Sequence, residues 1–200
     1  MQSAFRQLWP EAECSNILDD SLSVDRERDG MLTEAMSDRI RTLAQYGVAT
    51  GADGILFTCS AFGEAIEAAA AQLPIPVLKP NEAMFEAALQ IGGRIGMLAT
   101  FAPSVGSMET EFHEMVETSG QRVALDTYCV PGAMAALKAG DGAAHDRLIA
   151  QAAPRFADCS AVMLAHFSTS RAAPSVSTTL DCPVLTSPGS AVAKLKRMIG

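Results

Sequence analysis

No block of Lys and Arg, no C-x-x-C pair and no apolar run of membrane-spanning length occurs in these 200 residues. Each absence removes a class of protein. Fifteen Lys and Arg stand against 23 Asp and Glu, giving a net charge of −8, whereas a nucleic-acid binder normally presents a basic face. The best apolar stretches are broken by Asp53, Glu64 and Glu67, so no membrane partner is expected. Met1 to Glu13 is mixed polar and apolar with Trp9-Pro10 inside; it does not read as a signal peptide, and a cytoplasmic protein is expected. The five cysteines form an odd set without short paired spacing, which argues against a disulfide framework. His113, His145 and His166 are not spaced with them as ligands, so no metal is expected. Phosphate-binding and acyl-transfer signatures are missing too. Gly92-Gly93-Arg94-Ile95-Gly96 precedes a strand instead of joining strand to helix. No G-x-S-x-G elbow is present, and nothing marks a lysine for pyridoxal phosphate. A reaction without a cofactor is favoured.

What is present suits a well-packed fold. Hydrophobic residues make up 48% and charged ones 19%, enough for one large domain or two lobes of roughly 100 residues each. The chain also repeats itself. An offset of 107 (166 − 59) carries Cys59 onto His166, Phe5 onto Phe112 and Asp19 onto Asp126. The same offset carries Ile55-Leu56-Phe57 onto Val162-Met163-Leu164, and Pro76-Val77-Leu78 onto Pro183-Val184-Leu185.

The second half reads as a strand at Arg94–Thr100, a helix at Ser107–Thr118 and a strand at Arg122–Val130. A helix at Ala143–Phe156, a strand at Ala161–Phe167 and a helix at Thr169–Leu180 come next. Pro183–Leu185 is then a strand and Ser190–Ile199 a helix. Shifting back by the offset predicts helix Gln2–Trp9, strand Ser15–Asp19, helix Gly30–Gly47 and strand Gly54–Thr58. Helix Ser60–Leu73, strand Pro76–Leu78 and helix Asn81–Gln90 complete the first half. Alternation of this kind predicts an α/β fold of two pseudo-symmetric lobes with parallel sheets, the active site in the cleft between them. The lobes are expected at 1–92 and 93–200, with the last helix free to pack back on the first. The strand Arg94–Thr100 maps to positions −13 to −7, ahead of Met1. The first lobe is therefore expected to lack its opening strand, the sequence starting late relative to its fold.

The repeat puts two reactive side chains at strand ends. Cys59 lies where the run Gly54–Thr58 enters a small polar turn and then a helix. Ligands bind at such places in open α/β sheets, and the positive end of a helix favours a thiolate over a thiol. The bland alternative is a small buried hydrophobe. His166 holds the matching position, where an imidazole can give or take a proton near neutral pH; its bland alternative is a core histidine. Thr58 and Ser60 flank the thiol. Ser168 and Thr169 open the next helix, as carboxylate binders or simple caps. Thr100 and Phe101 end the strand that opens the second lobe. Lys79 reads as a solvated lysine, Asp19-Asp20 as the start of a loop, and Cys14, Cys129, Cys159 and Cys182 as structural.

With these residues in place, the chain resembles the aspartate/glutamate/hydantoin racemase superfamily, which includes maleate isomerase and arylmalonate decarboxylase. The resemblance is carried by ADGILFTCSAFG (Ala52–Gly63), IPVLKPNEAM (Ile75–Met84), RIGMLATFAP (Arg94–Pro103) and AVMLAHFSTSRA (Ala161–Ala172). It implies two flavodoxin-like lobes and cofactor-independent proton transfer by paired cysteines, one per lobe. Cys59 matches the first of these, and His166 stands where the second belongs. The resemblance thus implies a racemase or isomerase of a small carboxylate-bearing substrate, such as an amino acid or derivative, with Cys59 and His166 catalytic. Thr58, Ser60, Thr100, Phe101, Ser168 and Thr169 would bind that substrate. A decarboxylase or cis-trans isomerase of small dicarboxylates and a non-catalytic ligand-binding relative are the alternatives. A homo-oligomer is compatible with all of them.

Overall fold

A computed structural model describes residues 1–200, with the side chain of residue 103 outside the description. Two compact units emerge. One comprises Met1–Glu82 together with Ala191–Gly200, and the other Ala83–Ser190.

The second unit is built on four parallel strands in the order β4-β3-β5-β6. These are β3 (Gly93–Ala99), β4 (Val123–Cys129), β5 (Ala161–Leu164) and β6 (Val184–Thr186). Helices α5 (Glu82–Ile91) and α6 (Val105–Ser119) lie on one face. There Phe85 and Phe112 meet edge to face at 5.5 Å over Ile95, Met97 and Met163. Helices α7 (Ala133–Lys138), α8 (Gly142–Ala152) and α9 (Ala173–Ser177) contribute to the other face, where Leu98, Ile149, Phe156, Val162 and Leu164 cluster. Burial on both faces explains why β5 is uniformly apolar, with all four residues at 0% exposure. The expected helix Thr169–Leu180 is instead a 3-10 turn, Thr169–Ala172, followed by the short α9. Pro174 cannot sit in a helix interior but is tolerated in a first turn, and it opens α9.

The first unit holds α1 (Gln2–Leu8), α2 (Ser21–Asp29), α3 (Glu34–Ala49) and α4 (Gly63–Ala70). Its sheet has two parallel strands, β1 (Ile55–Leu56) and β2 (Val77–Leu78). The repeat seen in the sequence persists in hydrogen-bond register. Ile55 pairs with Val77 as Val162 pairs with Val184. The Ile55 amide donates to Pro76 O at 2.8 Å, and the Val162 amide to Pro183 O at 2.9 Å. Ile55, Leu56 and Phe57 are half-buried, whereas Val162, Met163 and Leu164 are fully buried. The difference arises from topology, because β5 is flanked by β3 and β6 while β1 pairs with β2 alone.

The strand expected at Ser15–Asp19 does not form. By the offset its counterpart lies in β4, which pairs with β3, whereas the sheet of the first unit consists of β1 and β2 and neither pairs with Ser15–Asp19. Without a neighbour to receive its backbone groups, the segment has no ladder to join. Asp19 instead accepts from Arg39 Nε at 2.9 Å and Nη2 at 2.7 Å, and these bonds hold its carboxyl below the usual range. Arg39 also reaches Asp25 at 2.6 Å, clamping the unpredicted α2 to α3. The final helix α10 (Ser187–Ile199) begins in the second unit, and from Ala191 onward it belongs to the first. Lys194 on α10 forms an ion pair with Glu82.

Gly96 shows how tightly the second sheet is packed. A Cβ built there would lie 2.6 Å from the Phe156 ring, with further contacts to that side chain at 2.7 and 3.0 Å. Gly96→Ala is expected to cost about 1–3 kcal/mol through overpacking, read as a lowered denaturation midpoint in chemical unfolding.

Candidate active site at the carboxyl ends of the strands

In the second unit the site begins with strand register. Leu98 of β3 pairs with Leu164 of β5, and the Ala165 amide donates to Leu98 O at 2.9 Å. Thr100 and His166 each lie two residues beyond that pair. The ladder therefore brings both to one rim of the sheet, the end where open α/β sheets bind ligands. Thr100 is 5% exposed, and its hydroxyl has no partner among the described residues. Phe101 beside it is 42% exposed.

The turn after β5 is held from within. His166 O accepts from the Thr169 amide at 3.1 Å and from Thr169 Oγ1 at 2.7 Å. Thr169 is fully buried, and its hydroxyl is committed to shaping this turn. Ser168 is half-buried at the start of the 3-10 turn. On the ring side, His166 Nε2 lies 2.6 Å from Ser104 Oγ. Ser104 stands in the 3-10 turn Ala102–Ser104 that leads from β3 into α6. No sequence pattern pointed to it; the contact joins positions 62 residues apart. His166 Nδ1 is buried without a partner among the described residues.

Burial lowers the His166 pKa from 6.5 to about 4. Near-neutral titration was the expectation from sequence; in the folded chain the imidazole is neutral across that range, because desolvation penalises its charged form.

In the first unit, Cys59 comes after β1 in extended conformation, immediately before the 3-10 turn Ser60–Phe62, which leads into α4. Thr58, Cys59, Ser60 and Ala61 are all exposed. Phe62, only 2% exposed, anchors the turn in a cluster with Leu22, Met36, Ile40 and Ile66. Cys59 is therefore not the small buried hydrophobe of the bland alternative. Arg26 Nε of α2 donates to Ala61 O at 3.4 Å, which brings a guanidinium to the thiol's turn, a neighbour the sequence did not reveal. Lys79 is not a free solvated lysine: it is paired with Glu67, its side chain 15% exposed.

The remaining cysteines differ from Cys59. Cys159 is buried and Cys182 half-buried, both ahead of their strands, and burial pushes both thiols up. Cys129, at the end of β4, packs against the core on the α5–α6 face. Cys14 is exposed, and its thiol too is pushed up by partial burial. Among the described residues no group of three or more His, Cys, Asp and Glu side chains could hold a metal ion. No helix among them is long and apolar enough to cross a membrane.

The family model described as Asp/Glu/Hydantoin racemase matches residues 10–156. The chain belongs to this family. The matched span contains Cys59, Thr100 and Ser104 and stops short of His166. Solved structures agree on the fold. An aspartate racemase homologue from Pyrococcus horikoshii superposes with a TM-score of 0.72 at 13% identity, covering 99% of this chain and 89% of its own. Glutamate racemase RacE1 from Bacillus anthracis gives 0.67 at 15%, covering 98% and 75%. A mutant of arylmalonate decarboxylase gives 0.62 at 17%, covering 84% and 76%. No curated protein sequence matches the chain.

Two measurements test this racemase-family site. A histidine whose folded pKa lies below its unfolded value binds fewer protons when folded, so its contribution to stability is lost as pH falls. Stability is expected to drop between pH 6.5 and about 4, with a slope approaching one proton; His166→Gln is expected to flatten that segment of the urea-denaturation profile. In thiol titration of the native protein, Cys59 is expected to react with a bulky disulfide reagent and Cys159 only after denaturation, with Cys59→Ser removing the rapid phase that belongs to it.

Proposed function

We propose that this chain is a cofactor-independent racemase or related isomerase of a small carboxylate-bearing substrate, an amino acid or a derivative, working by α-proton transfer at Cys59. The observation that carries this reading is the exposed thiol at the turn from β1 into a helix, inside the span matched by the racemase family. Cys59 as thiolate takes the α-proton, and an enolate forms. An α-proton beside a carboxylate is weakly acidic, so charge stabilisation must supply much of the rate. In this reading the exposed hydroxyls of Thr58 and Ser60 beside Cys59 do that work, and Thr100, Phe101 and Ser168 are further substrate-binding candidates. Thr169 contributes by fixing the His166 turn. His166 is the counterpart of Cys59 in the repeat and the second proton-handling group. A substrate carboxylate beside its imidazole would raise its pKa toward the working range, since a nearby negative charge favours the protonated form.

A second reading is favoured by one observation. With a pKa of about 4 in the free protein, His166 is a weak base, and a reaction needing only one protonation asks less of it. Decarboxylation of a substituted malonate, with Cys59 protonating the enolate, is such a reaction. The name of one structural neighbour, arylmalonate decarboxylase, points the same way.

A panel of amino acids, hydantoins and substituted malonates in deuterium oxide separates the two. Racemisation is expected to wash deuterium into the α-carbon of recovered substrate, whereas decarboxylation releases carbon dioxide and leaves substrate unlabelled. Cys59→Ser is expected to lower kcat by about 10²–10⁴-fold, the range for a lost acid/base group. Turnover unchanged in that variant would refute the role of Cys59.

A further inference from the structure

We propose that Ser104 is the positioning residue for His166: it accepts the Nε2 proton, fixes the ring as the Nε2–H tautomer and leaves Nδ1 as a bare acceptor. This rests on the reading of His166 as the second proton-handling group, but its structural content is independent of any substrate.

The argument is a count of hydrogens. Ser104 Oγ carries one hydrogen and has two partners, Phe101 O at 3.0 Å and His166 Nε2 at 2.6 Å. A carbonyl can only accept. If the hydroxyl hydrogen goes to Phe101 O, the imidazole must supply the hydrogen of the second bond, so Nε2 is protonated. The reverse arrangement has the serine donating to Nε2 and puts the ring hydrogen on Nδ1. That atom is buried with no partner among the described residues. A buried N–H without an acceptor is rarer, and costlier, than an unfilled lone pair. Both considerations select the same tautomer.

The surrounding bonds make the selection rigid. Ser104 sits in a 3-10 turn closed by its own amide donating to Phe101 O at 3.2 Å. The His166 backbone is held by the two bonds from Thr169. Ring and hydroxyl thus approach from two strand ends that the β3–β5 ladder has already aligned. Under the proposed function, the free protein holds the His166 ring in one orientation before substrate binds, with Nε2–H committed to Ser104. Loss of Ser104 would disorder that orientation and lower kcat more than it raises KM.

The test is nitrogen NMR of the full chain with 15N-labelled histidine at pH 7. His166→Gln assigns the signal among the three histidines, and the methyl resonances of Met97 and Met163 report that the fold is kept. In the wild type, Nε2 of His166 is expected to carry the proton and Nδ1 to show the shift of an unprotonated ring nitrogen. Ser104→Ala is expected to mix the tautomers and speed exchange of the ring proton, and Ser104→Thr to restore the wild-type pattern. A proton on Nδ1 in the wild type would overturn the proposal, as would an unchanged His166 signal in Ser104→Ala. Neither outcome depends on turnover: absence of deuterium exchange into any substrate would count against the racemase reading and leave the tautomer assignment standing.

Discussion

The β3–β5 ladder is the constraint on which the second unit depends. Two parallel strands, 66 residues apart in register from Ile95–Ala161 to Leu98–Leu164, end together, so the turn after each strand is delivered to the same rim. The ladder is buried on both faces. A one-residue slip would move Met97 and Met163 out of one core cluster and Leu98 and Leu164 out of the other. Register is thereby enforced by burial. The approach of Ser104 to His166 depends on it, because the 3-10 turn after β3 and the polar turn after β5 are neighbours only when the strands are paired in this way.

The rim illustrates how position alters chemistry. His166 and Cys59 are equivalent in the repeat, yet the first is largely enclosed and neutral and the second is exposed. Equivalent positions in a repeat thus need not have equivalent surroundings.

Much of this was legible in the chain itself. Uniform apolar runs such as Ala161–Leu164 announce strands buried on both faces. The 107-residue offset located β2 from β6, and the structure adds that the two pairs share a register, Ile55 with Val77 and Val162 with Val184. The turn residues after each strand marked Cys59 and His166. The failures have physical causes as well. The repeat alone predicts a strand at Ser15–Asp19, yet neither β1 nor β2 pairs with it, and α2 is clamped by the convergence of Asp19 and Asp25 on Arg39. Pairings of that kind depend on distance in space, which local periodicity does not record.

By itself, the sequence determined the α/β class, the repeat, the strand ends at which Cys59 and His166 stand, and the family. These are properties of pattern, and pattern is local. Tertiary structure alone decided that Cys59 is exposed, that Thr169 spends its hydroxyl on its own turn, that His166 is desolvated enough to stay neutral and that Ser104 is its partner. Burial and hydrogen bonding are set by which segments pack together, so the protonation state of a side chain is written in its neighbours.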